Sequence, residues 1–140
     1  MSKIFPNKPD VLFGQKRVGE SFSPIIDGSG PPIYLAGREI SNVANDLRLK
    51  ILHPDQLAIE VFWYNGQLVS ANTRSLSALS EAGLTPTNIK FIMPNRTLLS
   101  RLDELPIIEN ASLPGPRIPV TKSKSDLKVI RVIEIPGYSR

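Results

Sequence analysis

Arg74 is the residue whose type and position best suit it to act on a phosphate group. It lies two residues after Asn72, where a β-hairpin pattern gives way to a helical one, so its guanidinium belongs to the first turn of a helix. A helix start exposes unpaired backbone N–H groups and a partial positive charge. An arginine fork there adds a bidentate grip on an anion. Asn72 serves such a turn in one of two ways, as the helix cap or as a substrate contact.

A second group of polar residues runs Gln15–Lys16–Arg17, with Glu20 close behind. Lys16 or Arg17 would stabilise charge on a pentacoordinate phosphorus, and Gln15 would contact the nucleic acid. The same residues also suit a solvated turn. Glu20 is a candidate general base, on no stronger ground than being an accessible carboxylate. His53 is the single histidine, so it is the one imidazole on offer as acid or base. It precedes Pro54 at the end of a helical pattern, where histidines commonly bond the last carbonyls. Glu60 and Glu134 fall on strand patterns and would suit a Mg2+ ion if they met; whether a metal is used stays open. Trp63 reads as core or hairpin packing rather than as a base-stacking platform.

Charge points the same way as Arg74. Net charge is +4, yet residues 1–110 balance at eleven basic and eleven acidic side chains. The excess lies in the last thirty residues, where Arg117, Lys122, Lys124, Lys128, Arg131 and Arg140 face Asp126 and Glu134. A localised basic surface favours a polyanion, because neutralising phosphates releases counterions. Arg117, Lys122, Lys124 and Lys128 are the expected nucleic-acid contacts. The chain has no cysteine, which removes disulfide scaffolds, thiol nucleophiles and cysteine-bound metals. No stretch is apolar enough over sufficient length to span a membrane, and no signal-peptide pattern opens the chain. If the protein is secreted, a larger polypeptide is expected to carry it.

The elements that must position these residues follow from periodicity. Residues 1–12 read as a linker or leading segment, and 13–140 as a single domain. Ile40, Val43, Leu47 and Ile51 predict a helix over residues 38–52, stopping before Pro54. Leu57–Tyr64, Asn65–Gly66 and Gln67–Ala71 predict a hairpin with a type I′ turn, Ile59, Val61 and Trp63 sharing one face. A helix follows at once, with Leu76, Leu79 and Ala82 buried and Gly83 just past its end. Ile89–Met93 is a predicted strand. Thr97–Leu105 is a predicted short helix capped by Asn95 or Thr97. Arg117–Thr121 and Leu127–Ile135 are predicted strands, the last apolar on both faces and therefore interior. The fold class is α+β, a mixed sheet with about three short helices.

The stretch His53–Leu84 resembles the core motif of the ParB/sulfiredoxin superfamily, in which a strand, a hairpin and an arginine-ended polar turn lead into a helix. Ser70–Ala71–Asn72–Thr73–Arg74 matches that turn. In the superfamily it binds nucleotide or phosphate. Thr73 stands where the turn usually carries histidine or a second basic residue, and sulfiredoxin chemistry would need a cysteine. A closer resemblance is to C-terminal toxin domains of bacterial polymorphic toxins of the Rhs and contact-dependent inhibition type. Phe13–Phe22, Leu57–Ile89 and Leu113–Gly137 carry it in order, together about half of the chain. This resemblance implies an interbacterial effector delivered as part of a larger secreted toxin and acting in the target-cell cytoplasm. It implies a nuclease acting on RNA or DNA, with a cognate immunity protein as partner. The alternatives are a nucleotide-binding or NTP-dependent toxin using the Arg74 turn, and a non-enzymatic DNA-binding module.

Overall fold

The computed structural model describes residues 10–108, 113–123 and 125–136, and its strands divide between two sheets. The first has four strands in the order β1 (Val11–Phe13), β4 (Gln67–Ser70), β3 (Ile59–Tyr64), β5 (Ile89–Phe91). The second has three, β2 (Val18–Gly19), β6 (Arg117–Thr121), β7 (Val129–Glu134). Each mixes parallel and antiparallel pairs: β1 runs parallel to β4 and β2 parallel to β6, while β3–β4 and β6–β7 are antiparallel. The α+β class therefore holds, but in two sheets rather than one. The short strands β1 and β2 bring this about. They lie within the Phe13–Phe22 neighbourhood and pair with different partners, so the segment between them, Gly14–Arg17, bridges the sheets.

Strand β1 begins at Val11, inside the stretch expected to be linker; Val11 and Leu12 are both buried. Gly14 then leaves β1 so close to β4 that a Cβ there would lie 2.6 Å from Val69 Cγ1 and 3.1 Å from the Ser70 carbonyl oxygen. Only glycine fits without displacing one of them.

The β3–β4 hairpin turns at Asn65 (φ +50°) and Gly66 (φ +78°), the double positive φ of a type I′ turn. Ile59 and Val61 point into the main core, whereas Phe62 on the opposite face joins a smaller cluster with Val69 and Leu102. Trp63 lies past the edge of that core, is 55 % exposed, and stacks on Phe91 of β5 at 6.2 Å between centroids.

Helix α1 (Ile40–Arg48) is shorter than its apolar spacing suggests. Lys50 adopts φ +63°, which ends the helix several residues before Pro54 and leaves Ile51 exposed while Leu52 is buried. Helix α2 (Thr73–Glu81) follows the hairpin directly. It closes in a Schellman arrangement: Leu84 N–H donates to the Leu79 carbonyl (2.9 Å) and Gly83 N–H to that of Ser80 (2.9 Å), with Gly83 at φ +78°. Ile40, Val43 and Leu47 of α1 meet Leu76 and Leu79 of α2 in the main core, with Ile59, Val61, Ile118 and Val120 from the sheets. Each such buried side chain contributes about 2 kcal/mol by area, offset by the entropy of ordering it. Helix α3 (Arg96–Arg101) is capped by Asn95, whose side chain accepts from Leu98 N–H at 2.9 Å. It ends four residues earlier than its leucines predict; Leu102 is buried, and Leu99 and Leu105 are exposed.

Strand β7 is not interior. It edges the three-stranded sheet, and Ile130 and Val132 are both 45 % exposed. Its inward face carries Ile133, together with Arg131. Arg131 bonds both carboxylate oxygens of Glu20 and also Glu81 at 2.7 Å, so a single guanidinium ties β7 to the end of β2 and to α2. Burial pushes the carboxyl of Glu20 up, but the hydrogen bond and charge of Arg131, with backbone N–H donors of Ser41 and Ile40, outweigh it and hold Glu20 below its ordinary value.

Candidate functional site

An open cleft of about 600 Å3 lies where the hairpin enters α2, and Gln15, Asn72 and Arg74 all line it. A second, smaller cavity of about 480 Å3 is lined by Lys16, Arg17 and Glu104. Gln15 and Arg101 line both. Of the positions singled out from sequence, Gln15, Lys16, Arg17, Asn72 and Arg74 are thus brought to these two adjoining cavities by the hairpin, α2 and the bridge between the sheets.

Asn72 does not cap α2 with its side chain. Its Oδ1 accepts from Glu60 N–H (2.8 Å) and its Nδ2 donates to the Ala58 carbonyl (2.6 Å). The amide thus extends the strand pairing of β3 and fixes where α2 begins. Beside it, the buried Thr73 hydroxyl donates to Oε1 of Gln15, linking the bridge segment to the helix start. Asn72 and Thr73 are consequently positioning residues, and Arg74 is the side chain they deliver to the cleft.

Arg74 and Arg17 meet over Gly19. A Cβ added to Gly19 would lie 3.4 Å from one Nη of Arg17 and 3.7 Å from one Nη of Arg74. Arg17 is anchored by its Nε, which donates to Thr121 Oγ1 at 2.6 Å. Arg74 has a 3.5 Å contact to Ser23 Oγ, and its Nε is buried with no hydrogen-bond partner. Neither guanidinium forms a salt bridge among the described residues. Burial, then the neighbouring charge of Arg17, pulls the pKa of Arg74 below its ordinary value. Two neighbouring cations with no salt-bridge partner among the described residues make a positive spot that an anion would relieve.

The other sequence candidates fall in various places. Lys16 pairs with Glu104 at 3.5 Å on the rim of the second cavity. Lys122 and Lys128 are exposed at the base of the β6–β7 connection, whose Leu127 lines that cavity. Arg117 lies in β6 opposite Glu134 of β7, and Lys124 lies outside the described residues. His53 is exposed and is not part of either lining. It sits at the start of the 3-10 turn Pro54–Gln56 rather than at the end of α1, its Nδ1 accepting from Asp55 N–H (3.1 Å) and its own N–H donating to Gln56 Oε1 (2.8 Å). That is a reciprocal cap, a structural task. Glu20 is held by Arg131 and so is not a free base. Glu60 lines the cleft, whereas Glu134 belongs to the other sheet and lines neither cavity. No group of three or more histidine, aspartate or glutamate side chains suited to a metal occurs among the described residues.

Two contributors to the trough were not singled out from sequence. Arg101, the last residue of α3, stands at the junction of the two cavities and has no salt-bridge partner among the described residues. The segment from Ser23 to Leu35 supplies a wall, pinned by the Tyr34 hydroxyl, which donates to the Gln56 carbonyl at 2.5 Å. Arg101 carries no motif, and the wall read only as proline- and glycine-rich loop.

No protein-family model matches the sequence, and searches of curated proteins and of solved structures find no match. Among the described residues, no helix is long and apolar enough to cross a membrane.

Proposed function

We propose that this chain is the toxin domain of a bacterial polymorphic toxin, with a ParB/sulfiredoxin-like fold, and that it cleaves the phosphodiester backbone of RNA or DNA. The observation that carries this reading is the Arg17–Arg74 pair, two guanidiniums with no salt-bridge partner among the described residues beside an open cleft. In that role the pair grips a phosphate and stabilises the extra negative charge that builds on phosphorus as a nucleophile adds. The sequence resemblance supplies the biological setting: delivery within a larger secreted polypeptide, action in the target-cell cytoplasm, and neutralisation by a cognate immunity protein. Glu60 and Asp55 line the same cleft and are the carboxylates available to it as proton acceptors or metal ligands.

Expression in a bacterial cytosol without the immunity partner tests this. Growth arrest that Arg74→Ala relieves, at equal expression and unchanged melting temperature, is the expected result. Full toxicity of a folded Arg74→Ala protein would remove the arginine pair from the site. A second reading, binding of a nucleoside triphosphate, draws on the same cleft, whose size falls within the usual range for small-molecule sites.

A further inference from the structure

Resting on the reading of the arginine pair as a phosphate site, we infer that the two cavities form one trough for a single strand of nucleic acid, with Arg101 as its third phosphate-gripping cation. The argument begins with their shared boundary. Gln15 and Arg101 line both cavities, so the two adjoin at these side chains. The Arg17–Arg74 pair lies at the same junction, since Arg17 lines one cavity and Arg74 the other. A phosphate held there leaves room for chain on both sides, the arrangement for an internal linkage rather than a terminal one.

The two arms differ in chemistry. The larger cavity has an apolar floor from the buried Phe22, Leu35 and Leu57, and polar groups in Asn88, Asp55 and Glu60. An apolar floor suits the face of a base, and carboxylates suit the N–H donors on its edge while repelling phosphate. A volume of about 600 Å3 admits an unstacked nucleoside but not a duplex. The smaller arm carries Lys16, Arg17 and Arg101 and reaches Leu127, whose neighbour Lys128 is exposed and bonds through its carbonyl to the N–H of the exposed Lys122. That is a backbone track, where cations rather than pockets follow successive phosphates. Glu104, the carboxylate in this arm, is already paired with Lys16. Polarity along the trough is thus set: base-reading at the cleft, backbone-tracking beyond Arg101.

Fluorescence anisotropy with labelled 2′-O-methyl oligouridylates and oligothymidylates in EDTA tests this, with uridine monophosphate as the shortest probe. Affinity is expected to climb about tenfold or more from dinucleotide to octanucleotide, and then level off. Arg101→Ala is expected to remove most of that gain while monophosphate binding is retained, and Arg101→Lys to restore part of it. Binding that is flat with length, or equal for a duplex of the same length, overturns the threaded strand but leaves the arginine site standing. Failure of every probe, the monophosphate included, overturns the phosphate site and the trough together.

Discussion

Arg17 and Arg74 approach one another across the face of Gly19, held from opposite sides by β6 and by the start of α2. Folding would not favour such a pair for its own sake, because like charges brought together out of water repel. Among the described residues Arg38 pairs with Asp46 at 2.8 Å and Arg131 with two carboxylates, whereas the half-buried Arg74 keeps a buried Nε with no hydrogen-bond partner. The contrast between the satisfied arginines and this pair is the reason for assigning the pair to a ligand.

Gly19 offers the sharpest chemical probe of that assignment. Its Cβ position has ordinary contact distances to both guanidiniums, so Gly19→Ala is expected to fold and retain activity. Gly19→Asp places a carboxylate between the two arginines. It should keep or raise the melting temperature while weakening binding of inorganic phosphate or monophosphate by about tenfold or more. Unchanged phosphate affinity in Gly19→Asp would mean that the anion does not sit on this pair.

Removal of either arginine is expected to lower cleavage by about a hundred- to a thousandfold, the usual scale for one donor to a developing charge. His53→Ala should leave cleavage within about twofold, since its ring serves the Pro54–Gln56 turn. That contrast is measured by initial rates on one substrate. A large loss in His53→Ala at unchanged stability would bring the imidazole into the chemistry.

Stability at acid pH should depend on Glu20. Its folded pKa is lowered, so its contribution is present in full above its unfolded value and is lost as the pH falls through the folded one. Chemical denaturation below about pH 4.5 should therefore show a decline that Glu20→Gln flattens. Arg131→Ala leaves two carboxylates facing a partly buried gap and is expected to cost about 2 kcal/mol at neutral pH, discounted for its partial exposure. An Arg131→Ala protein as stable as wild type would mean that this ion pair does not hold the second sheet in place.

The basic β6–β7 connection should govern salt dependence rather than chemistry. Replacing Lys122 and Lys128 by alanine is expected to reduce the slope of log affinity against log salt by about 1.4 on a single strand. A slope left unchanged would place the backbone track elsewhere.

How much of this was legible in the residues depends on the distance over which each feature is decided. The hairpin, the start of α2 and the Gly83 stop follow from local φ preferences and apolar spacing, and all occur where those signals put them. The length of α1 did not, because Lys50 takes a left-handed conformation that no residue type announces. Strand β7 looked interior since its composition is apolar on both faces; whether a partner strand flanks it is a matter of topology, which alternation does not encode. At the site, Arg74 was legible from its helix-start position. Its company was not: Arg17 arrives by way of the parallel β2–β6 pairing and Arg101 by way of a short helix packed on the opposite face of the first sheet. Asn72 reads from sequence as a cap or a substrate contact, and its strand-extending bonds emerge only once β3 is seen beside it.

The central claim is that the Arg17–Arg74 cleft cuts nucleic acid. Incubating the purified protein with total bacterial RNA and, separately, plasmid DNA, with magnesium and with EDTA, and running gels beside Arg74→Ala, tests it most directly. Degradation of one of the two substrates by the wild-type protein, lost in a folded Arg74→Ala variant, is the predicted result. Intact RNA and DNA under every condition, from protein that still arrests growth when expressed, would contradict it.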